Sequence, residues 1–423
     1  MPDWLIRGAA HIWRPYTQHA LAEPALPVVA TEGCRIILAD GRELIDGIAS
    51  WWTACHGYNH PQIRAAVSAQ LARMPHVMFG GLAHEPGYGL AARLAALVPA
   101  LPHVFFSDSG SVGVEVAMKM ALQMWLNRGE TGRVKFLSFL GGYHGDTLGA
   151  MSVCDPEEGM HGLFGPALAA QHVVALPREA ASEAALDDVL ARHGREIAGI
   201  IVEPLVQGAG GMVFHEPAVL RRIRAAADAH GVPLIFDEVF TGFGRTGHFF
   251  VGPELGVLPD IMVVSKALTG GTMGLAATLA SPAIFAAFHQ DRAEAALMHG
   301  PTFMANPLAC AAANASLDIF AATDWRAAVA RIAAGLRTGL APLGGHEGVR
   351  DVRVLGAIGV VELAGRPDLA ALKREFLARG VWVRPFRSVV YLTPAFTIDP
   401  ESLAKLTGAV VDVVRDYGKK RLF

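Results

Sequence analysis

Two apolar runs set the tightest constraint on how this chain can fold. Leu234-Ile235-Phe236 ends in Asp237-Glu238, and Val263-Val264 runs into Ser265-Lys266. Each run is short and β-branched enough to be a buried parallel strand. Open parallel sheets present ligands at the carboxyl ends of their strands, so Asp237 and Lys266 can face one site from different strands. An acid and an amine on one rigid floor can hold a charged group and attack its carbonyl. A salt bridge at a sheet edge is the plainer alternative.

The surrounding pattern supports such a sheet. Strand-like runs at His103 to Ser107, Val134 to Phe139 and Gly199 to Val202 alternate with helical stretches from about Val112 to Asn127 and Pro217 to His230. Strands alternating with helices over residues 100–270 predict a mostly parallel α/β sheet, joined by one more strand at Leu275 to Ala280. Before it, Arg35 to Leu38 and Leu44-Ile45 flank Asp40-Gly41, a hairpin signal. Two helical patterns lie between Pro61 and Val98, and an Ala-rich helix runs from Asn306 to Phe320. From about Ala322 the pattern changes to helix, two apolar stretches, helix, two short strands and a last helix, which reads as a smaller α+β domain.

With 423 residues, 52% of them apolar and 18% charged, the chain can bury a large core. A net charge of −3 gives no footing for nucleic acid or an anionic membrane surface. The longest basic cluster, Lys419-Lys420-Arg421, reads as a solvated tail. Cys34, Cys55, Cys154 and Cys310 form no Cys-x-x-Cys pair, which disfavours a disulfide framework or a thiolate zinc site. The start, Met1-Pro2-Asp3-Trp4, lacks a signal-peptide pattern, and no apolar run reaches the roughly 18 residues of a membrane span. A cytoplasmic globular protein is expected.

Several short stretches carry chemistry. Asp108-Ser109-Gly110-Ser111 follows a strand and opens a helix, where free N–H groups and the dipole favour an anion; a simple N-cap is the alternative. Tyr143 leaves a Gly-Gly turn beside a strand end, placed to lie on a ring or to be an ordinary core tyrosine. Trp51 and Trp52, flanked by Gly57, Asn59 and Pro61, do not suit a helix interior; they are core or interface, or else wall an apolar pocket. His56 and His60 have the spacing of a metal pair, but Gly57, Asn59 and Pro61 break the helix it would need, so no metal is expected. Gly242-Phe243-Gly244-Arg245-Thr246-Gly247 matches a dinucleotide fingerprint but is followed by His248-Phe249-Phe250, which does not start a helix.

Taken together, Ser109-Gly110-Ser111, Gly142-Tyr143-His144-Gly145, Glu203-Pro204, Asp237-Glu238-Val239 with Gly242 to Gly247, and Ser265-Lys266-Ala267-Leu268 resemble the fold type I, class III aminotransferases that use pyridoxal 5′-phosphate (PLP). The likeness spans essentially the whole chain with its motifs in order. Within the class, the chain is similar to the biotin-pathway branch through His11 to Gln18, Trp51-Trp52-Thr53, Cys154 to His161, Leu268 to Met273 and His299 to Met304.

The resemblance implies a large PLP-binding domain over residues 50–321 and a small domain built from residues 1–49 and 322–423. It implies Lys266, Asp237 and Tyr16 as catalytic candidates. Lys266 would form the Schiff base with PLP and shuttle a proton, which a lowered pKa favours. Asp237 would keep the pyridine nitrogen protonated. Gly110 and Ser111 would hold the phosphate, with Thr302 contributed across an obligate homodimer and Pro301 also among the cofactor-binding candidates. Tyr143 would stack on the ring, and Glu203 would support it. Tyr16, Trp51, Trp52, Tyr143, Arg245, Gly300 and Arg384 would line the substrate pocket, with aromatic walls for a long chain and an arginine fork for its carboxylate; Arg387 competes with Arg384 for that fork. The implied reaction is ping-pong transamination of 8-amino-7-oxononanoate to 7,8-diaminononanoate, with S-adenosylmethionine as donor. A general ω-aminotransferase using pyruvate or 2-oxoglutarate is the main alternative, and a non-catalytic binding protein of the same fold a remote one, disfavoured by Lys266.

Overall fold

The computed structural model describes residues 1–156 and 162–419. The Glu157 to His161 end of one family motif and the side chains of Lys419, Lys420 and Arg421 lie outside the described residues.

A seven-stranded sheet forms the centre, in the order His103–Ser107, Ala276–Ala280, Ile261–Val264, Leu234–Asp237, Ile197–Val202, Lys135–Phe139, His172–Val174. Six strands are mutually parallel, and Ala276–Ala280 alone runs antiparallel to its neighbours. Every residue of the Leu234–Asp237, Ile261–Val264 and Ile197–Val202 strands is buried. Continuous rather than alternating apolar character is what a sheet covered on both faces requires. Gly110–Asn127 lies across the sheet and buries Val114, Ala117, Ala121 and Met124. Pro217–His230 starts with Pro at its first turn and ends at Gly231 in the left-handed conformation, the expected asymmetry of helix ends.

Val28–Glu32, Arg35–Leu38 and Glu43–Asp46 form antiparallel neighbours, and Val381–Trp382 joins that sheet in parallel, with Val381 opposite Ile45 and Trp382 opposite Asp46. The two ends of the chain therefore share one sheet. A second, antiparallel sheet of Val349–Leu355, Ile358–Leu363 and Val389–Leu392 packs with Trp325–Leu340 and Pro400–Lys419. No helix among the described residues is long and apolar enough to cross a membrane.

Candidate active site

Parallel pairing sets Asp237 opposite Val263, so the carboxylate and the amine three residues later leave the same edge of the sheet. They frame a cavity of about 150 Å³ lined by Gly110, Ser111, Tyr143, Glu203, Asp237 and Lys266, with Trp52 above. A larger cavity of about 540 Å³, between Phe249, Phe320 and Trp325, holds none of the expected site residues.

Asp237 does not pair with Lys266. One carboxylate oxygen accepts from His144 Nδ1 at 2.8 Å and the other from the Val239 N–H at 3.1 Å. Burial opposes a charge on His144, but the bond to Asp237 and its negative charge outweigh it and hold the imidazole above its ordinary value. Lys266 Nζ lies 4.9 Å from the Trp52 ring centroid. Burial lowers its pKa, against the pull of Asp237, Glu203 and Asp146. Glu203 accepts from the N–H groups of Tyr143 (3.0 Å) and Gly208 (2.9 Å), and burial pushes it up to about 7.

The helix Gly110–Asn127 begins at the same cavity, with Gly110 against Val239 and Ser265. Ser109 is its N-cap, accepting from the Val112 N–H, and the Ser111 hydroxyl bonds Thr147 at 2.8 Å. Close approach explains two glycines: a Cβ on Gly110 would meet Val239 at 2.8 Å, and one on Gly145 would meet Ser111 at 2.3 Å.

The mouth is aromatic. Tyr143 donates to Asp146 at 2.8 Å, and the Tyr16 hydroxyl bonds both Asp146 and Tyr143. Burial, then the bond to Asp146, pushes Tyr16 up to about 12. Tyr16 meets Trp51 edge-on at 6.5 Å, and the Arg384 guanidinium lies 4.4 Å over the Trp51 ring. The tandem tryptophans stand on a turn in which Ala49, Ser50, Trp51 and Trp52 all have positive φ, from 44° to 74°. Left-handed backbone costs a non-glycine residue about 1–2 kcal/mol, so this turn is strained; Trp51 lies under Arg384 and Trp52 beside Lys266, and both reach Tyr391.

The structure thus brings together Tyr16, Trp51, Trp52, Gly110, Ser111, Tyr143, Glu203, Asp237, Lys266 and Arg384. Arg245 is a correction. It is 1% exposed, packs over Phe396 and donates to the carbonyls of Pro394 and Ala357, so it ties its glycine-rich stretch to segments more than 100 positions later and is not among the residues lining the cavity. Gly300, Pro301 and Thr302 sit in a loop outside the cavity of their own chain. Arg387 donates to the Gly210 carbonyl. Sequence reasoning gave no role to Asp146 or His144, although both belong to the Gly-Tyr-His-Gly-Asp stretch that flanks Tyr143. Elsewhere, His172, His193 and Glu196 could group around a metal, but one Glu196 oxygen already accepts from both imidazoles and Lys135 reaches the other.

Comparisons with known proteins bear on this geometry. The Aminotransferase class-III family matches residues 16–414. The chain belongs to the class III aminotransferases. A Mycobacterium leprae relative named adenosylmethionine-8-amino-7-oxononanoate aminotransferase is 50% identical over 96% of this chain and 95% of its own. A solved structure of the Methanocaldococcus jannaschii protein of that name superposes with a TM-score of 0.93 at 30% identity, over 98% of this chain and 99% of that one. An amine transaminase from an uncultivated Pseudomonas species, solved in its PLP-bound form, gives 0.89 at 31% identity, over 98% and 99%. The cofactor of this class III aminotransferase is PLP. Its residues fit that group: a helix start with small residues for the phosphate, a buried carboxylate for the ring nitrogen and an amine opening into the same cavity.

Proposed function

We infer that this aminotransferase converts 8-amino-7-oxononanoate to 7,8-diaminononanoate, with S-adenosylmethionine as amino donor, in the cytoplasmic synthesis of biotin. The supporting observation is the Arg384–Trp51–Tyr16 wall beside Lys266, in a chain half identical to a relative bearing that name. Aromatic faces suit the aliphatic stem of the keto substrate, and a guanidinium suits its far carboxylate. The four cysteines, all unpaired, agree with a reducing compartment.

When bound, PLP supplies an aldehyde that takes up the donor's amine and a ring that draws electrons from the adjacent carbon. Asp237, held by His144 and the Val239 N–H, would keep the ring nitrogen protonated. Lys266 would bond the aldehyde carbon and, once displaced, carry the proton at the substrate carbon; burial lowers its pKa, which favours the neutral amine that both tasks need. Gly110, Ser111 and the first turn of their helix would hold the phosphate. Tyr143 would cover the ring, with its hydroxyl fixed by Asp146.

We further infer a homodimer that supplies Thr302 to the partner's site. Thr302 lies outside the cavity of its own chain, in a loop whose Met298 and Phe303 are exposed. Sedimentation should give twice the chain mass, and a monomer that retains full activity would remove this inference.

The deciding experiment is a half-reaction. The PLP form is mixed separately with S-adenosylmethionine, lysine and alanine, and loss of its visible absorbance is followed. Bleaching by S-adenosylmethionine, then amine transfer to 8-amino-7-oxononanoate, is expected. Bleaching by alanine alone would favour the general ω-aminotransferase, the reading suggested by the structural likeness to an amine transaminase.

A further inference from the structure

The strained turn Ala49–Trp52 needs something to hold it, and its neighbours show what does. Asp46 ends the Glu43–Asp46 strand and is 1% exposed. One of its oxygens accepts from the Ile48 N–H at 2.9 Å, the other from the Ser50 N–H at 2.8 Å and the Tyr58 hydroxyl at 2.5 Å. Tyr58 has one hydroxyl proton and gives it to Asp46. Its 2.5 Å contact with the Ser50 hydroxyl therefore has Ser50 as donor. The carboxylate and the phenol grip the turn on its N–H side and through its one polar side chain.

Both grips are anchored. The Asp46 N–H donates to Cys34 O, and Asp46 sits opposite Trp382 in the shared sheet. Tyr58 exchanges backbone hydrogen bonds with Gly33. The chain after Trp382 carries Arg384, which covers Trp51. On the far side of the turn, Trp52 packs on Phe240 at 4.1 Å and on Tyr391 at 5.9 Å, beside Lys266. Without the grip, a right-handed or extended backbone is cheaper for Ser50, Trp51 and Trp52. Either change would swing the two indole rings off Arg384 and Lys266.

We propose that Asp46, with Tyr58, is a positioning residue: it holds Ala49–Trp52 in the left-handed form and thereby fixes the aromatic wall against which the keto substrate binds. Neither residue lines the cavity. The substrate named here rests on the function inferred above, while the latch itself does not.

The test uses Asp46→Asn and Tyr58→Phe in the PLP-loaded enzyme, each with and without Ser50→Gly, since glycine adopts positive φ without the side-chain penalty. Each single variant should raise the KM for the keto substrate about tenfold, the scale expected for a buried polar group that loses a partner, with a much smaller change in kcat. Amide exchange in residues 48–54 should speed up in the cofactor-free and loaded protein alike, with the central sheet unchanged. Adding Ser50→Gly should recover most of the lost KM. An unchanged KM, exchange that rises throughout the chain, or no recovery with glycine overturns the proposal. If Asp46→Asn does not fold, Tyr58→Phe, which keeps the carboxylate, decides alone. If the unsubstituted enzyme ignores 8-amino-7-oxononanoate, the inferred function fails, and the exchange measurement, which needs no substrate, still judges the latch.

Discussion

The acid, amine and helix start on the floor of the cleft come from ends of the central sheet's strands or the turns just after them, held by central strands buried along their whole length, with Ser265 before Lys266 (φ −156°, ψ −110°) the one departure from regular backbone beside them. The wall facing them is assembled from Tyr16, the Ala49–Trp52 turn and Arg384, three stretches far apart in sequence, and both Tyr16 and the turn have positive φ. Strand ends deliver side chains to one place by a rule of topology. The wall follows no such rule and needs dedicated contacts to exist. The difference suggests a division of labour, with chemistry common to the class on the floor and choice of substrate on the wall.

Removing the amine makes the sharpest test of that division. Lys266→Ala should lower turnover by about 10⁴-fold or more, because bonding and proton transfer are both lost. It should fail in both half-reactions, measured separately by stopped-flow absorbance. A colourless variant that still transaminates would break the assignment of the floor. A wall residue should behave otherwise. Arg384→Ala should weaken the keto substrate by roughly 10²-fold, the scale of a charged hydrogen-bonded contact, and leave the donor half-reaction far less affected. Arg387→Ala should not show this selectivity, since Arg387 is committed to the Gly210 carbonyl. Equal losses for both substrates in Arg384→Ala would erase the comparison.

The same contrast decides what could be read from the sequence. The floor was legible because apolar β-branched runs ending in Asp237 and Lys266 obey short-range rules, and the strands appear where periodicity put them. The helix Pro217–His230 has the bounds its proline and glycine signals predict. The tryptophan pair was legible only as something other than a helix. Nothing local in Ala-Ser-Trp-Trp announces a left-handed turn, which exists because Asp46 and Tyr58 from outside it hold it. Arg245 was misplaced for a related reason. Its position in a glycine-rich stretch after the Asp237 strand pointed at the site, while its guanidinium turns away to Pro394 and Phe396, a contact with residues some 150 positions later that no spacing rule encodes.

A smaller effect probes the layer beneath the floor. His144 hydrogen-bonds the buried Asp237. Without it a carboxylate is left buried beside an empty space, which removal of one partner makes unfavourable. His144→Ala should weaken PLP binding by roughly tenfold or more, measured by fluorescence titration of the cofactor-free protein. Unchanged PLP affinity would mean that the Val239 N–H alone suffices to hold Asp237 in place.

The mildest prediction concerns pH. Glu203, ordinarily near 4.5, is pushed up to about 7 by burial, and His144 is held above its ordinary value by Asp237 once the opposing cost of burial is overcome. In each case the folded state holds the proton more tightly than the unfolded state does. The stabilisation is therefore complete below the unfolded value and is lost as pH rises through the folded one. For Glu203 that window runs from about 4.5 to about 7. The cofactor-free protein should then lose a few degrees of Tm between pH 5 and pH 8. Glu203→Gln removes the titrating group and keeps one acceptor for the Tyr143 or Gly208 N–H, so its Tm should be flatter over that range. Arg384→Ala, on the wall, should follow the parent curve. A Glu203→Gln curve as steep as the parent's would shift the whole dependence to His144, and a flat parent curve would show that neither group changes charge there.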